Sequence, residues 1–340
     1  MGTPFFSVII PTHNSEAFIA RLLDSIVAQQ DDDCEVVICD DGSTDRTAEI
    51  VGEYHEKLHI NFFPRSGTYK AHCPGNTRNE ALLQARGEWI TFVDHDDELA
   101  DGALAHVREL LTKSEHPQVL VSGRFDEIHP DRTSQDLDDG LTWVHGRFFN
   151  REFLNAHGIT FLPDLIANED LLFNSMVFAC IAGEDLSYIH TDRTLYHWHI
   201  HDGSFSMSKD PDGKGYLERY FDDYVTASTA AWFSCLQKYP QRRGYYFHRM
   251  VTAVLYCYFY YQAILWKYRT DADPEKLHSI AEMFIRFCND FETSPGAVLQ
   301  WNDEHPDTYN LVRTSSLSCS VGMFVERQTF REFIKNLLVS

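Results

Sequence analysis

The run Asp94-His95-Asp96-Asp97 crowds three carboxylates into four residues. Carboxylates that close repel one another unless a cation or hydrogen-bond donors compensate. No thiolate lies beside them, so hard oxygen ligands point to Mg²⁺ or Mn²⁺, with substrate phosphate completing the shell. The competing reading is a solvated acidic turn ahead of a helix near Gly102, and for an isolated Asp-x-Asp that reading is the better one. Two further polar clusters, PTHN at 11–14 and DDGSTD at 40–45, raise the same question.

The elements that carry the clusters decide between the readings. Residues 5–10 (FFSVII), 35–39 (EVVIC), 60–63 and 89–93 are short apolar runs of strand type. Each of the first three leads through a polar loop into helical spacing, as in Phe18, Ile19, Leu22, Leu23, Ile26 and Val27, and Asp45 stands where a helix N-cap belongs. Such alternation predicts an α/β fold, a mostly parallel Rossmann-like sheet with helices on its faces. Ligands bind such sheets beyond the carboxyl ends of the strands. PTHN, DDGSTD and DHDD each follow a strand directly and are expected to meet at that edge. A helix near Leu104–Leu111 and a strand at Val119–Ser122 follow. The polar stretch from Asp126 to Asp139, with Pro130 inside it, reads as a loop over the site or an insertion.

Composition narrows the class. A chain of 340 residues, 44% hydrophobic and 24% charged, folds as roughly two globular units. The expected division is a sheet-bearing domain at 1–210 and a mainly helical one at 211–340, where Tyr, Phe, Trp and Leu recur at helical intervals. Lys and Arg number 29 against 51 Asp and Glu, a net charge of −22 that would repel nucleic-acid phosphate and anionic lipid. Eight scattered cysteines without a CxxC pair, and no secretory signal ahead of the first strand, predict a reduced, cytoplasmic protein. Met250 to Trp266 is short, rich in Tyr and interrupted by Gln262, so it reads as a buried or interfacial helix and no membrane span is expected. Lys238, Arg242, Arg243 and Arg249 mix with Tyr239, Tyr245, Tyr246 and Phe247. That composition would suit peripheral contact with a membrane, but in so acidic a chain a solvated helix edge or a homo-oligomer interface is the better reading.

Seven segments in order resemble the GT-A fold glycosyltransferases of family 2, mostly bacterial inverting enzymes that use nucleotide-diphosphate sugars. They are FSVIIPTHN (6–14), EVVICDDGSTD (35–45), NTRNEAL (76–82), GEWITFVDHDDE (87–98), WVHGRFFNREFL (143–154), GITFLPDLIANEDLLF (158–173) and LYHWHIHDGSFS (195–206). The resemblance implies that Pro11 and His13 line the base pocket and that Asp41 accepts a hydrogen bond from uracil, making a UDP-sugar the favoured donor. Arg78 would face the nucleotide or diphosphate, Asp94 would contact ribose or metal, and Asp96 would ligate Mn²⁺ or Mg²⁺ directly. Asp97 would support the site or touch the donor sugar. Arg147 matches a basic position that could bind donor phosphate or sugar, and is equally well read as a surface arginine.

Asn168-Glu169-Asp170 looks like the family's ED motif, which makes Asp170 the general base on an acceptor hydroxyl. Taken alone, the same residues would read as a cap and acids in a first helical turn. A helix N-terminus lowers a carboxylate's pKa, whereas enclosure raises it. His197, His199 and His201 would share one face of a strand, an arrangement that would suit zinc; the alternative is hydrogen bonding in a cleft. The resemblance points elsewhere: His201 fits a family histidine that completes the metal shell or contacts phosphate, with Ser204 and Ser206 lining the loop. The chain departs from the family with His13 in place of a tyrosine, His199 in place of an arginine, and an inserted-looking segment, GTYKAHCP, at 67–74.

The activity implied is transfer of a hexosyl or N-acetylhexosaminyl unit to a hydroxyl of a glycan, glycolipid or surface polymer, with a lipid-linked acceptor placing the enzyme at the inner face of the membrane. One rival is a catalytically silent nucleotide-sugar-binding protein. Another is a sugar-1-phosphate nucleotidyltransferase, which would carry a Gly-rich basic loop after the first strand where PTHNSEAF stands.

Overall fold

The computed structural model describes residues 2–67, 70–129, 132–137, 143–201, 204, 220–244, 246 and 274–304. The chain divides into two compact units, residues 1–219 and 220–340.

In the first unit, β1 (Phe6–Thr12) and β2 (Cys34–Asp40) are buried along their whole length. Continuous apolar runs of that kind suit central strands covered on both faces. Between them α1 (Ile19–Val27) turns Ile19, Leu22, Leu23 and Ile26 inward, the stripe expected of a helix on a sheet. Asp45 starts α2 (Thr47–Gly52): its Oδ1 accepts the Thr47 amide at 3.0 Å and the Thr47 hydroxyl at 2.6 Å. After the edge strand β3 (His59–Pro64), Pro74 opens α3 (Pro74–Gln84), where its missing N–H costs nothing. β4 (Trp89–Phe92) then pairs with β1, so β3, β2, β1 and β4 lie side by side and parallel. At their carboxyl ends the Asp41 amide donates to Thr12 O at 2.8 Å and the Val93 amide to Ile9 O at 3.0 Å. The three polar loops therefore start from neighbouring positions.

Beyond β4 come β5 (Glu98–Leu99), α4 (Ala103–Lys113), β6 (Gln118–His129), β7 (Arg132–Leu137), β8 (Arg147–Asn150), α5 (Arg151–His157), α6 (Glu169–Glu184) and β9 (Ser187–His199). The sheet runs β3-β2-β1-β4-β8-β6-β9-β5, with β7 on β6. β8 is antiparallel to β4 and β6, so the sheet is parallel in its first half and mixed in its second. The stretch from Asp126 to Asp139 differs from the expected loop. Its described residues continue β6 to His129 and return antiparallel as β7. Pairing of β6 with both β7 and β9 satisfies the backbone, so this arm needs no apolar run to be a strand.

The second unit is helical in its described part: α7 (Phe221–Lys238), a 3₁₀ turn at Pro240–Arg242, α8 (Pro274–Asp290) and α9 (Pro295–Glu304). Ala227, Ala231, Trp232, Cys235, Ile280, Phe284 and Phe287 are buried there. Tyr239 and Tyr246 are buried as well, which removes two aromatics from the surface patch expected around them. Met250 to Trp266 lies outside the described residues, among which no helix is long and apolar enough to cross a membrane. The six described cysteines are buried, and burial pushes the Cys34 and Cys39 thiols up to about 12.

Glu35 ties the amino ends of β1, β2 and β4 together. Its carboxylate accepts Ser7 Oγ at 2.7 Å, the Arg86 amide at 2.6 Å, the Arg86 guanidinium at 2.8 Å and the Gly87 amide at 3.2 Å. Gly87 lies so close to β1 that a Cβ would stand 2.5 Å from Ser7 N. Burial opposes the charge on Glu35, but the Ser7 and Arg86 donors outweigh it and hold the carboxyl below its ordinary range. Glu35→Gln is expected to cost about 1–3 kcal/mol in denaturant unfolding at pH 7, because buried donors lose their acceptor. A folded-state pKa below the unfolded one stabilises above about pH 4 and ceases to as the pH falls through the folded value, so the difference from the parent protein should shrink in acid.

Candidate functional site

Arg78 lies at the centre of the site. Gly75 brings the first turn of α3 against α6 and the segment before it, where a Cβ would meet Phe161 Cβ at 3.0 Å and Glu169 Cγ at 3.1 Å. Arg78, three residues on, is 3% exposed. Its Nη2 donates to Asp94 Oδ1 at 2.6 Å, and its Nη1 is shared between Glu169 and Asp170, the latter at 3.3 Å. The guanidinium also stands 5.4 Å from the centre of the Phe161 ring. Burial disfavours the charge, yet the carboxylates of Asp94, Asp170 and Glu169 raise the guanidinium's pKa well above its ordinary value. The arginine expected at the nucleotide joins the Asp94 corner to the ED motif.

The tetrad behind β4 is split by a turn closed from the Asp97 amide to Asp94 O at 3.1 Å. Asp94 keeps a side chain 30% exposed. Burial works against its charge, and Arg78 with His145 overcomes it, so the carboxyl sits far below the usual range. Asp97 is buried, its carboxylate within 4.8 Å of that of Asp94, and it accepts the Tyr196 hydroxyl and the His199 amide, the latter at 2.7 Å. Burial, with the charges of Asp96 and Asp94, pushes its carboxyl well above the ordinary value. Asp96 meets His201, with Nε2 at 3.1 Å from Oδ2 and both side chains 22% exposed. His201 stacks on Phe18 at 4.5 Å, Arg21 donates to Asp96 O, and the Ser204 hydroxyl accepts the His201 amide at 2.9 Å.

The histidines of 197–201 do not converge. β9 ends at His199, and each ring meets a different acid: His197 lies 3.7 Å from Asp126, His199 3.5 Å from Glu98, and His201 beside Asp96. Ser206 lies outside the described residues.

On the other side of the edge, His13 stands edge to face with His72 at 4.5 Å, and burial with His72 lowers its pKa, favouring a neutral ring. Asp41 accepts the Arg65 guanidinium and the His72 amide, the latter at 2.6 Å, while Pro11 O lies 3.4 Å from His95 Nδ1. Arg147 is buried and turned inward, donating to Trp143 O at 2.7 Å with its guanidinium 5.5 Å from the Phe178 ring centre.

Asp170 lies in the first turn of α6, and its Oδ2 accepts the Val144 amide at 3.2 Å. Burial and the nearby Glu169 and Asp94 push its carboxyl up to about 8 against the pull of Arg78. Enclosure thus outweighs the helix N-terminus. Sequence reasoning missed Arg21, Phe18, His145, Tyr196 and the Glu169 contact. Only Glu169 carried a signal, its place beside Asp170.

A divalent cation fits the Asp96–His201 corner, which offers a carboxylate oxygen and an imidazole nitrogen that remain open to solvent. Asp94, Asp97 and His145 also present ligand atoms within 4.8 Å of one another. A cation there would share Asp94 with the Arg78 guanidinium, and like charges repel.

The parallel half-sheet and the mixed second half are those of a GT-A architecture. Residues 7–167 match the family model described as glycosyl transferase family 2. The chain is 35% identical over 188 residues to the poly(ribitol-phosphate) beta-N-acetylglucosaminyltransferase TarS of Staphylococcus aureus, covering 51% of this chain and 32% of that protein. A poly(ribitol-phosphate) beta-glucosyltransferase of Bacillus spizizenii is 32% identical over 180 residues, 49% of this chain and 28% of the other. The chain thus spans a third or less of these relatives' lengths. The crystal structure of S. aureus TarS 1–349 in complex with UDP-GlcNAc superposes with a TM-score of 0.64 at 21% identity, over 94% of this chain and 93% of that one, showing the same fold.

Removing the Arg78 guanidinium leaves three acids facing one another. Arg78→Ala should cost about 3–5 kcal/mol in denaturant unfolding, as expected when one partner of a buried charge cluster is lost. Arg78→Lys should recover only part of that, since a single ammonium cannot span Asp94 on one side and Glu169 with Asp170 on the other.

Proposed function

We propose that the protein is an inverting, cation-assisted glycosyltransferase that moves a hexosyl or N-acetylhexosaminyl unit from a UDP-sugar to a hydroxyl of a glycan, glycolipid or surface polymer. The observation that carries this reading is the enclosed Asp170 carboxyl, joined through Arg78 to Asp94 at the nucleotide edge of the sheet. The names of the relatives, both hexosyl-type transferases, support it, as does the UDP-GlcNAc complex of TarS.

Pro11, His13 and Asp41 would take the uracil base, and Asp94 the ribose. Arg147 and Ser204 would line the donor side, and Asp97, held by Tyr196, would support the corner from below. Asp96 and His201 would hold the Mn²⁺ or Mg²⁺. When bound, that cation supplies positive charge against the departing diphosphate.

Asp170 removes the proton from the acceptor hydroxyl as its oxygen attacks the anomeric carbon. The bond from that carbon to the phosphate oxygen breaks, its electron pair leaves with UDP, and attack from the opposite face inverts the configuration. A carboxylate whose pKa is raised is the stronger base once ionised. A lipid-linked acceptor would place the reaction at the cytoplasmic face of the membrane.

The test is UDP release across a panel of UDP-sugars with Mn²⁺, Mg²⁺ or EDTA, with and without acceptor. Asp170→Asn should lower kcat by about 10²–10⁴-fold while UDP still binds, the range expected for loss of a general base. Asp96→Ala should abolish the response to Mn²⁺ or Mg²⁺. Binding of the nucleotide sugar without any release of UDP would instead favour the catalytically silent reading, and release of pyrophosphate from a nucleoside triphosphate a nucleotidyltransferase. The Asp170 carboxyl must lose its proton to act, so kcat/KM should rise with pH across the interval around 8.

A further inference from the structure

His145 has no part in the chemistry above, yet its surroundings are specific. It is 6% exposed and lies flat on Tyr196, with ring centres 4.4 Å apart and planes at 8°, while Phe125 meets it edge-on at 5.4 Å. A phenylalanine would fill that space equally well. What an imidazole adds is Nε2, 3.7 Å from Asp94 Oδ2, and Nδ1, which has no hydrogen-bond partner among the described residues. The carboxylate assigns the proton to Nε2 and leaves Nδ1 as a bare acceptor. At 3.7 Å the contact is longer than a hydrogen bond, and polar contacts in a substrate-free site commonly tighten in the complex.

Asp94 is otherwise held at Oδ1 by Arg78 at 2.6 Å and at its amide, which donates to Tyr196 Oη at 3.3 Å. Oδ2 is the atom left for His145 to fix. The loop that carries the imidazole also reaches the other side of the site: the Val144 amide binds Asp170 Oδ2, and Gly146, at φ +66°, turns the chain so that its carbonyl accepts the Gly123 amide at 2.9 Å.

We propose that His145 is a positioning residue for the transfer reaction, holding Asp94 Oδ2 so that this carboxylate meets the sugar nucleotide in one orientation. The proposal rests on the glycosyltransferase reading. It assigns His145 an effect on donor binding through Asp94, with no contact to the reacting atoms.

The experiment compares the parent protein with His145→Phe and His145→Gln by donor KM, kcat, UDP affinity and melting temperature. His145→Phe should raise the donor KM about tenfold, the loss of one charge-assisted polar contact, with kcat changed by less than about twofold. His145→Gln, whose amide N–H can replace Nε2–H, should restore most of the donor KM. A donor KM unchanged in the folded Phe variant overturns the proposal, and so does an equal loss in Phe and Gln variants that tracks their melting temperatures. If the Phe variant does not fold, His145→Asn takes its place: too short to reach Asp94, it should behave as Phe was expected to, and a parent-like donor KM overturns the proposal. A parent protein that binds no UDP and releases none from any UDP-sugar overturns the glycosyltransferase reading, and this proposal with it, before any variant is compared.

Discussion

The Arg78 guanidinium, buried and shared by Asp94, Glu169 and Asp170, joins the end of β4 to the start of α6. Burying a cation is costly unless it is paired, and burying acids is costly for the same reason. Here the acids outnumber the cation, so the cluster settles unevenly. Asp94, bonded to the guanidinium and partly open to water, keeps its charge, while Glu169 and Asp170 are both raised. One arginine thus produces two kinds of carboxylate. Asp94 stands ionised behind β4, and Asp170 stands with a raised carboxyl at the start of α6.

The same economy governs the corner behind β4. Three carboxylates in four residues repel one another, as the raised Asp97 carboxyl shows, and each is met by its own donor. Asp94 goes to Arg78, Asp96 to His201 and Asp97 to Tyr196, each toward a donor from a different element. Asp97 serves the scaffold, since its hydrogen bonds to Tyr196 and the His199 amide tie the corner to β9. Asp96 and His201 remain open enough to take a ligand. The loop behind β2 follows the same pattern: Asp41 accepts from Arg65, just past β3, and from the amide of His72, in the segment that reads as an insertion.

Much of this was legible before folding. The strands β1, β2 and β4, the loops at their carboxyl ends and the order of the family segments follow from local patterns, and the structure places PTHN, DDGSTD and DHDD side by side. Resemblance alone pointed to Asp96 as a metal ligand and to His201 at a metal or a phosphate, and the structure sets the two side chains together. The end of β6 and β7 were not legible, because backbone pairing holds these strands without an apolar run. Of the three histidines, His197 and His199 lie within β9, while His201 falls beyond its end, where alternation no longer sets the face.

The amino-acid sequence by itself determined the elements and the chemistry available to them, since apolar periodicity, turn residues and acidic loops act within a few residues of one another. Only the tertiary structure decided which charge meets which. Arg78 and Asp170 are 92 positions apart, and Tyr196 and Asp97 are 99. Whether an arginine faces a phosphate or a carboxylate, and whether an acid is ionised or raised, depends on burial and on partners brought in from distant segments, and local sequence carries neither.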